Sequence, residues 1–365
     1  MISNNKNLGY DDFTSKLMLD EWPHENFFCI SISKGGKAVK QESRNYRDFE
    51  KLVSDSSMSW VNCCVENAEK DLPVISKEFG FRKEMPHELL SHKTSACLDM
   101  GSELGLLLPA VKVRNLHVNV SPIFVLIKEN MVLSIHNRKV TRWVRFFNYA
   151  ETFIGKIPVG IPRDDKITMI LQRLLSKNDE KNFENLRIIE EEGDKINALL
   201  IDPKSPRVMV GKDIYRMKHA LIVYLGVLWA SMDVLNSLRY GDSDLITDKP
   251  GLLKEFSRIE NDLTKHISLA EHTSEVLASG LEALQSIYNN QLQVLNNRLA
   301  LVVTWLTVVG TAVLVPNTLA TIFGIPSVSE HIDWLQAITL LVVSTVLSAV
   351  IAYVVLEKII PRKVE

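Results

Sequence analysis

Residues 299–325 have the sequence LALVVTWLTVVGTAVLVPNTLATIFGI, which is 27 residues without a formal charge. About 20 apolar residues cross a bilayer as a helix, so this stretch is long enough to form a transmembrane helix. Residues 334–356 form a second uncharged run of 23 residues. Two such runs leave no polar face for water, which disfavours the alternative of two buried core helices.

The charges around these two runs predict their orientation. Residues 326–333 between them contain Glu330 and Asp333 but no Lys or Arg. Residues 357–365 contain three Lys and Arg residues, and Arg298 precedes the first run. By the positive-inside rule, the loop lies outside the cell membrane and both termini are cytoplasmic.

The first predicted transmembrane helix also carries polar side chains. Thr304, Thr307 and Thr311 recur at helical spacing and therefore share a face. Two interpretations remain open: the face bonds to neighbouring helices, or it lines a pore. We expect Pro316 to kink or end the helix near its outer end.

The composition of the whole chain is that of an ordinary folded protein. The chain has 365 residues, 46% of them apolar, and 42 basic against 44 acidic residues give a net charge of −2. The chain has no overall positive charge that would indicate nucleic acid as a partner. The start, MISNNKNLGYDDF, has no apolar segment, so we expect no signal peptide.

The chain contains no recognisable catalytic motif. Its cysteines lack the CxxC and histidine spacings of a metal site, and we expect reduced thiols at Cys29, Cys63, Cys64 and Cys97. No phosphate-binding loop, nucleophile triad or acid–base pair stands out. We therefore expect neither a cofactor nor an enzyme activity.

The first 160 residues predict an α+β domain with a mixed sheet flanked by helices. Strands are expected at residues 27–33, 60–65, 118–127 and 131–136. The last two flank a hairpin turn at residues 128–130, and helices are expected around residues 46–53 and 72–79.

From about Arg142 onward the pattern is helical. Helices are expected at residues 166–201 and 208–238, with breaks at 202–206 and 240–251. A long helix then begins at Leu252 and runs, unbroken by proline, into the first apolar run. The predicted organisation is a cytosolic α/β domain (1–160), a helical hairpin (161–250), a stalk helix (251–298), transmembrane helix 1 (299–325), an outer loop (326–333), transmembrane helix 2 (334–356) and a cytosolic tail (357–365).

Several stretches resemble the CorA family of divalent-cation (magnesium) transporters. Residues 227–238, VLWASMDVLNSL, are similar to the family's VLWPLREVLNRL helix. Residues 121–136 are similar to its two-strand segment, and Phe79-Gly80-Phe81 to the start of its FGLHPLALEDV stretch. The resemblance covers most of the chain and implies a homopentamer in a lipid bilayer.

The family's Gly-Met-Asn motif is altered in this chain. The corresponding residues are Gly324, Ile325 and Pro326. In the family the Asn side chains of five subunits form a ring that hydrogen-bonds a hydrated cation, and Pro326 has no such amide. The resemblance also implies a pore lined by transmembrane helix 1. The positions that match the family's pore are Val303, Leu306, Gly310, Leu314, Asn317 and Thr321.

The resemblance further implies cytosolic metal ligands between subunits. Glu88 matches the aspartate of the family's EDV stretch, and Asp262 keeps the first carboxylate of its RDxxDH stretch. Lys265 replaces the second carboxylate. In the outer loop, Glu330 and Asp333 could concentrate cations at a pore mouth, and His331 adds an imidazole that suits zinc.

Three functions remain open. The first is a channel-like transporter that moves Mg²⁺, or Co²⁺ and Ni²⁺, passively and is gated by cytosolic ion binding. The second is a zinc transporter of the same superfamily, with or without proton coupling. The third is a non-conducting membrane-anchored regulator or scaffold. The polar positions Asn317 and Thr321 favour the first two, whereas Pro326 favours the second and third.

Overall fold

The computed structural model describes residues 26–158, 160–201, 206–241, 243–329 and 332–359. The chain divides into two compact units, with the boundary between Leu281 and Glu282. The first unit contains a sheet with helices on both faces, and the second contains the apolar helices. The predicted break at residues 202–206 lies almost wholly outside the described residues.

Seven strands form one mixed sheet in the order β2-β1-β3-β7-β6-β5-β4. Only β3 and β7 are parallel neighbours, and the other five pairs are antiparallel. The strands are β1 (Asn26–Ser33), β2 (Ala38–Ser43), β3 (Ser56–Val65), β4 (Ala96–Asp99), β5 (Glu103–Arg114), β6 (His117–Lys128) and β7 (Met131–Asn137).

The four predicted strands are confirmed, and so is the hairpin between β6 and β7. Lys128 pairs with Met131 across a two-residue turn, in which Glu129 has a φ of 50°. Strands β2, β4 and β5 were not predicted. β5 is buried along nearly its whole length, so its apolar residues do not alternate with polar ones. Such a run cannot be distinguished from a buried helix by its sequence pattern.

The sheet is flanked by short helices on one face and long helices on the other. A 3₁₀ turn at Tyr46–Phe49 precedes the short helices, and the long helices follow β7. The helices of the first unit are α1 (Glu50–Ser54), α2 (Ala68–Glu78), α3 (Glu84–Ser91), α4 (Thr141–Ile154), α5 (Arg163–Ile201), α6 (Arg207–Tyr240) and the start of α7 (Pro250–Phe323). The second unit holds the rest of α7, then α8 (Pro326–Ser329) and α9 (Trp334–Ile359).

Alternate residues of the central strands pack on opposite faces of the sheet. Phe27 and Cys63 belong to one apolar cluster with Leu72 of α2 and Leu89 of α3. On the other face, Phe28 stacks on Phe147 of α4 with a ring-centroid distance of 3.8 Å. β1 is therefore buried on both faces of the sheet along nearly its whole length.

Buried amide and guanidinium side chains of α4 and α5 form hydrogen bonds with the backbone of β5. Asn178 of α5 donates to the carbonyl of Pro109 at 3.1 Å, and Asn185 donates to that of Val111 at 3.1 Å. Arg142 of α4 donates to Asn178 and to Val111. Burial lowers the pKa of Arg142 to about 10, so the side chain remains charged at neutral pH.

A network of buried side-chain hydrogen bonds links the parallel strands β3 and β7. Trp60 Nε1 donates to Ser134 Oγ at 3.0 Å, and Ser134 donates to Asn62 Oδ1 at 2.6 Å. His136 Nδ1 lies 2.9 Å from the Asn137 carbonyl and Nε2 lies 3.1 Å from Asn62 Nδ2. The carbonyl needs a donor, so Nδ1 carries the proton and Nε2 accepts. Burial lowers the pKa of His136 to about 4.

The acid stability of the first unit should depend on His136. Unfolded histidine binds a proton near pH 6.5, whereas folded His136 binds one only near pH 4. Protonation of His136 therefore leaves the free energy of unfolding nearly unchanged at neutral pH and above. It lowers that free energy as the pH falls from about 6.5 towards 4. We predict that the free energy of unfolding decreases by roughly 2 kcal/mol between pH 7 and pH 5.

Urea unfolding at these two pH values, followed by tryptophan fluorescence, measures this loss. His136→Gln should reduce the difference, while His87→Gln, at an exposed position on α3, should leave it unchanged. Equal pH dependence in all three proteins would contradict the assignment.

Candidate functional site

The six predicted pore positions lie on one face of α7. Val303 and Thr321 are 18 residues apart, which is five turns at 3.6 residues per turn, so they align along the helix. Val303 is 61% exposed and Leu314 is 64% exposed in the single chain. At Gly310, no heavy atom lies within 4 Å of the place a Cβ would take. Leu306 and Asn317 are exposed as well.

The threonine hydroxyls of α7 are bonded within the helix. Each donates to the carbonyl four residues earlier, at 2.7–2.8 Å, and the donors are Thr304, Thr307, Thr311, Thr318 and Thr321. These hydroxyls therefore need no partner helix to satisfy their protons. Their oxygens can still accept a hydrogen bond from water.

Pro316 lies inside α7 and does not end it. Of the two outcomes expected at this residue, a kink or an end, the end is therefore wrong. The helix continues to Phe323, and the amide of Gly324 then donates to the carbonyls of Ala320 at 3.1 Å and Thr321 at 3.2 Å. Pro326 starts α8, a position where its missing N–H costs nothing. Gly324 and Ile325 therefore form the turn between the two helices, and Pro326 begins the second.

The predicted outer-loop residues are described only in part. Glu330 and His331 lie outside the described residues, whereas Asp333 is exposed just before α9. The carbonyl of Asp333 accepts the amide of Ala337 at 3.0 Å, so this residue starts the last helix.

Asp262 on α7 is already paired with two cationic side chains. Arg258 Nη1 lies 2.8 Å and Lys265 Nζ lies 3.4 Å from its carboxylate oxygens. Arg258 stands four residues before Asp262 and Lys265 three after it, so one helix face brings the three together. A cation at Asp262 would have to compete with both.

Glu88 is exposed on α3, a helix that is firmly held in place. Met85 and Leu89 of α3 are fully buried, and a Cβ at Gly105 of β5 would overlap Met85 Sδ. The described residues contain no group of three or more His, Cys, Asp or Glu side chains that could hold a metal. Among the described residues, neither Glu88 nor Asp262 therefore belongs to such a group.

In the part of the chain that the structure describes, three helices are long and apolar enough to cross a membrane: α6, α7 and α9. The most apolar stretch of α6 is 56% buried inside the first unit, whereas those of α7 and α9 are 0% and 6% buried. The apolar surface of α6 is therefore largely used in the protein core. In α7 and α9 it is left for lipid or for other chains.

The family comparison gives one match that covers most of the chain. A family model described as CorA-like Mg²⁺ transporter protein matches residues 55–358. No curated protein matches the chain significantly by sequence.

Three solved structures with the same fold cover between 73% and 92% of the chain. The complete CorA magnesium transporter from Methanocaldococcus jannaschii is 18% identical, with a TM-score of 0.61 over 89% of this chain and 96% of that one. The full-length CmaX protein is 16% identical, with a TM-score of 0.59 over 92% and 99%. The ZntB cytoplasmic domain from Vibrio parahaemolyticus is 14% identical, with a TM-score of 0.55 over 73% and 100%. These likenesses establish the CorA-like fold.

Lys265 should weaken cation binding at Asp262. Lys265→Asp removes a competing ammonium and adds a hard oxygen ligand, so we predict protection from trypsin at a roughly tenfold lower Mg²⁺ concentration. The matched control is Lys254→Asp, at an exposed position earlier on α7. An identical Mg²⁺ requirement in both variants would argue against a cation site at Asp262.

Proposed function

Because the chain belongs to the CorA-like Mg²⁺ transporter family, we propose that it moves divalent cations passively across the cell membrane through a pore lined by α7 of five copies. The observation that carries this proposal is the aligned face from Val303 to Thr321, exposed along its length in the single chain. We expect α7 and α9 to span the bilayer with both termini cytoplasmic. We expect no catalytic activity.

The aligned face has two chemically different parts. Val303, Leu306 and Leu314 are apolar, and rings of such side chains gate a narrow pore by excluding water. Asn317 and Thr321 are the polar members and lie nearest the outer end. Asn317 offers an amide that can hydrogen-bond the water shell of a cation.

The ion is proposed to pass in hydrated form. Mg²⁺ gives up its waters reluctantly, so a selective ring has to bind the water shell rather than the bare ion. Pro326 has no amide at the position where the family carries asparagine. A ring of Asn317 side chains, two turns inside α7, is the proposed replacement.

Gating is proposed to depend on cytosolic cations at Glu88 and Asp262 of neighbouring subunits. A bound ion would offset the repulsion between acids and hold the subunits in the closed arrangement. The contacts of Asp262 with Arg258 and Lys265 already neutralise part of that charge. We therefore propose weaker cation sensing than a site with two free carboxylates would give.

A zinc transporter, with or without proton coupling, is the second candidate. Gly-Ile-Pro in place of Gly-Met-Asn favours it, because the usual ring for a hydrated cation is missing. His331 would add a ligand that zinc prefers to carboxylate alone. The same replacement also favours a non-conducting regulator.

Ion uptake into proteoliposomes separates these candidates. The purified pentamer would be reconstituted with a Mg²⁺- or Zn²⁺-sensitive dye inside and an inside-negative potential. Mg²⁺ influx is the predicted result. Zn²⁺ influx alone, with proton movement, supports the second candidate, and no flux from a folded oligomer supports a regulator.

Asn317→Ala should change the relative rates of Mg²⁺ and Zn²⁺ uptake. Losing the amide removes a hydrogen bond to the hydrated ion, so we predict a roughly tenfold shift in the ratio. Thr318→Ala is the matched control, because Thr318 is next to Asn317 on α7 and is not one of the six aligned positions. Unchanged selectivity in Asn317→Ala would remove the replacement ring from the proposal.

A further inference from the structure

The outer side of α6 carries an exposed stripe of large apolar side chains. Four of them recur every seven residues, and each is more than half exposed in the single chain: Val208, Tyr215, Ile222 and Trp229. Seven residues are nearly two helical turns, so these side chains form one row about 32 Å long, which we call the α6 stripe. At Gly226, within this row, no described heavy atom beyond the helix's own backbone lies within 4 Å of the place a Cβ would take.

The opposite side of α6 already supplies the contacts with the protein core. Ile214, Leu221 and Leu228 are buried there within the first unit. α6 is therefore apolar on two sides, a pattern typical of a helix that is covered all round. A row of exposed apolar side chains on a folded unit indicates a binding surface. The α6 stripe therefore has the character of a surface that a further partner covers.

Basic side chains flank this stripe. Lys212 and Lys218 stand three residues before and after Tyr215, so they lie on either side of it. Both lysines are exposed, and neither forms an ion pair with an acid among the described residues. Asp213, the acid of this part of α6, is paired with Arg216 at 3.3 Å. A partner that is both apolar and acidic would complement the stripe.

The chain itself contains a segment with this chemistry before β1. Residues 8–22 have the sequence LGYDDFTSKLMLDEW, which holds four acidic residues and one basic residue, and they lie outside the described residues. Tyr10, Phe13 and Leu17 recur at spacings of three and four. A segment with this spacing presents its apolar side chains on one face when it binds as a helix. Its acidic charge is opposite to that of the two lysines beside the stripe.

β1 starts at the end of the sheet toward which the first half of α6 points. Through the strand registers, Asn26 of β1 lies level with Leu108 of β5. The C-terminal end of α6 lies beside Leu104, whereas Tyr224 bonds to the part of α5 that lies beside Val111. The residues of α6 before Tyr224 therefore lie level with the start of β1 or beyond it.

The chain before β1 is long enough to reach the stripe. Four strand spacings separate β1 from β5, which is about 19 Å. The eight residues 18–25 can span up to about 27 Å. A second copy of α6 is a less suitable partner, because it would bring Lys212 and Lys218 close to the same lysines of the other copy.

We propose that residues 8–17 of the same chain bind along the α6 stripe, with Asp11 and Asp12 beside Lys212 and Lys218. The apolar side chains of the segment cover those of the stripe. The contact lies within the first unit and requires neither a conducting pore nor a subunit interface. It therefore stands independently of the proposed transport.

Photo-cross-linking of the full-length protein in detergent tests this contact. Tyr215→p-benzoylphenylalanine places the cross-linker within the α6 stripe. We predict a product that runs as a single chain on a denaturing gel, in which mass spectrometry finds α6 joined to residues 8–22. Tyr240→p-benzoylphenylalanine is the matched control, because Tyr240 lies at the other end of α6 and is 67% exposed against 71% for Tyr215. It should not cross-link to the segment.

Charge reversal tests the proposed pairing of acids and lysines. Lys212→Glu combined with Lys218→Glu should lower the cross-linking yield at least about fivefold, because like charges then face each other. Adding Asp11→Lys and Asp12→Lys to that variant should restore the yield. Absence of a cross-link from position 215 to residues 8–22, a product that joins two chains only, or a yield unchanged by the lysine reversal would each overturn the proposal.

Discussion

In the apolar C-terminal part of α7, backbone and hydroxyl groups have to form their hydrogen bonds within the helix. The proposed function depends on this constraint. Lipid offers no partner for a backbone or hydroxyl group, so each must be bonded within the helix. The threonine hydroxyls do this by donating to the carbonyl four residues earlier. Asn317 differs, because its amide is too polar to face lipid without a partner. A water-filled axis between helices is the environment that suits it.

The sequence was sufficient for the long helices and for strands with clear boundaries, but not for the whole sheet. α5 and α6 follow the helical period, and β7 follows a hairpin turn. β5 could not be recognised, because it is buried on both faces and contains Pro109, whose carbonyl is satisfied by Asn178 from a distant helix. β2 is a short polar edge strand with no apolar pattern of its own.

For the candidate site, the sequence predicted which residues lie together along one helix. It did not predict contacts between distant segments of the chain. The alignment of the pore positions follows from their average spacing of 3.6 residues. The pairing of Asp262 with Arg258 and Lys265 is also implied by positions three and four residues apart. The packing of Met85 against Gly105 of β5, which fixes the helix that carries Glu88, joins separate segments, and no spacing along the chain predicts it.

The central claim is that the face of α7 from Val303 to Thr321 lines a water-filled path. The most direct measurement is labelling of single cysteines along α7 in membranes with a charged methanethiosulfonate, in a background where Cys97 is replaced by serine. The account predicts rapid labelling of Gly310→Cys, Leu314→Cys and Asn317→Cys, with Ala312→Cys and Leu319→Cys on the opposite face protected. Labelling without this helical period, or protection at all five positions, would contradict it.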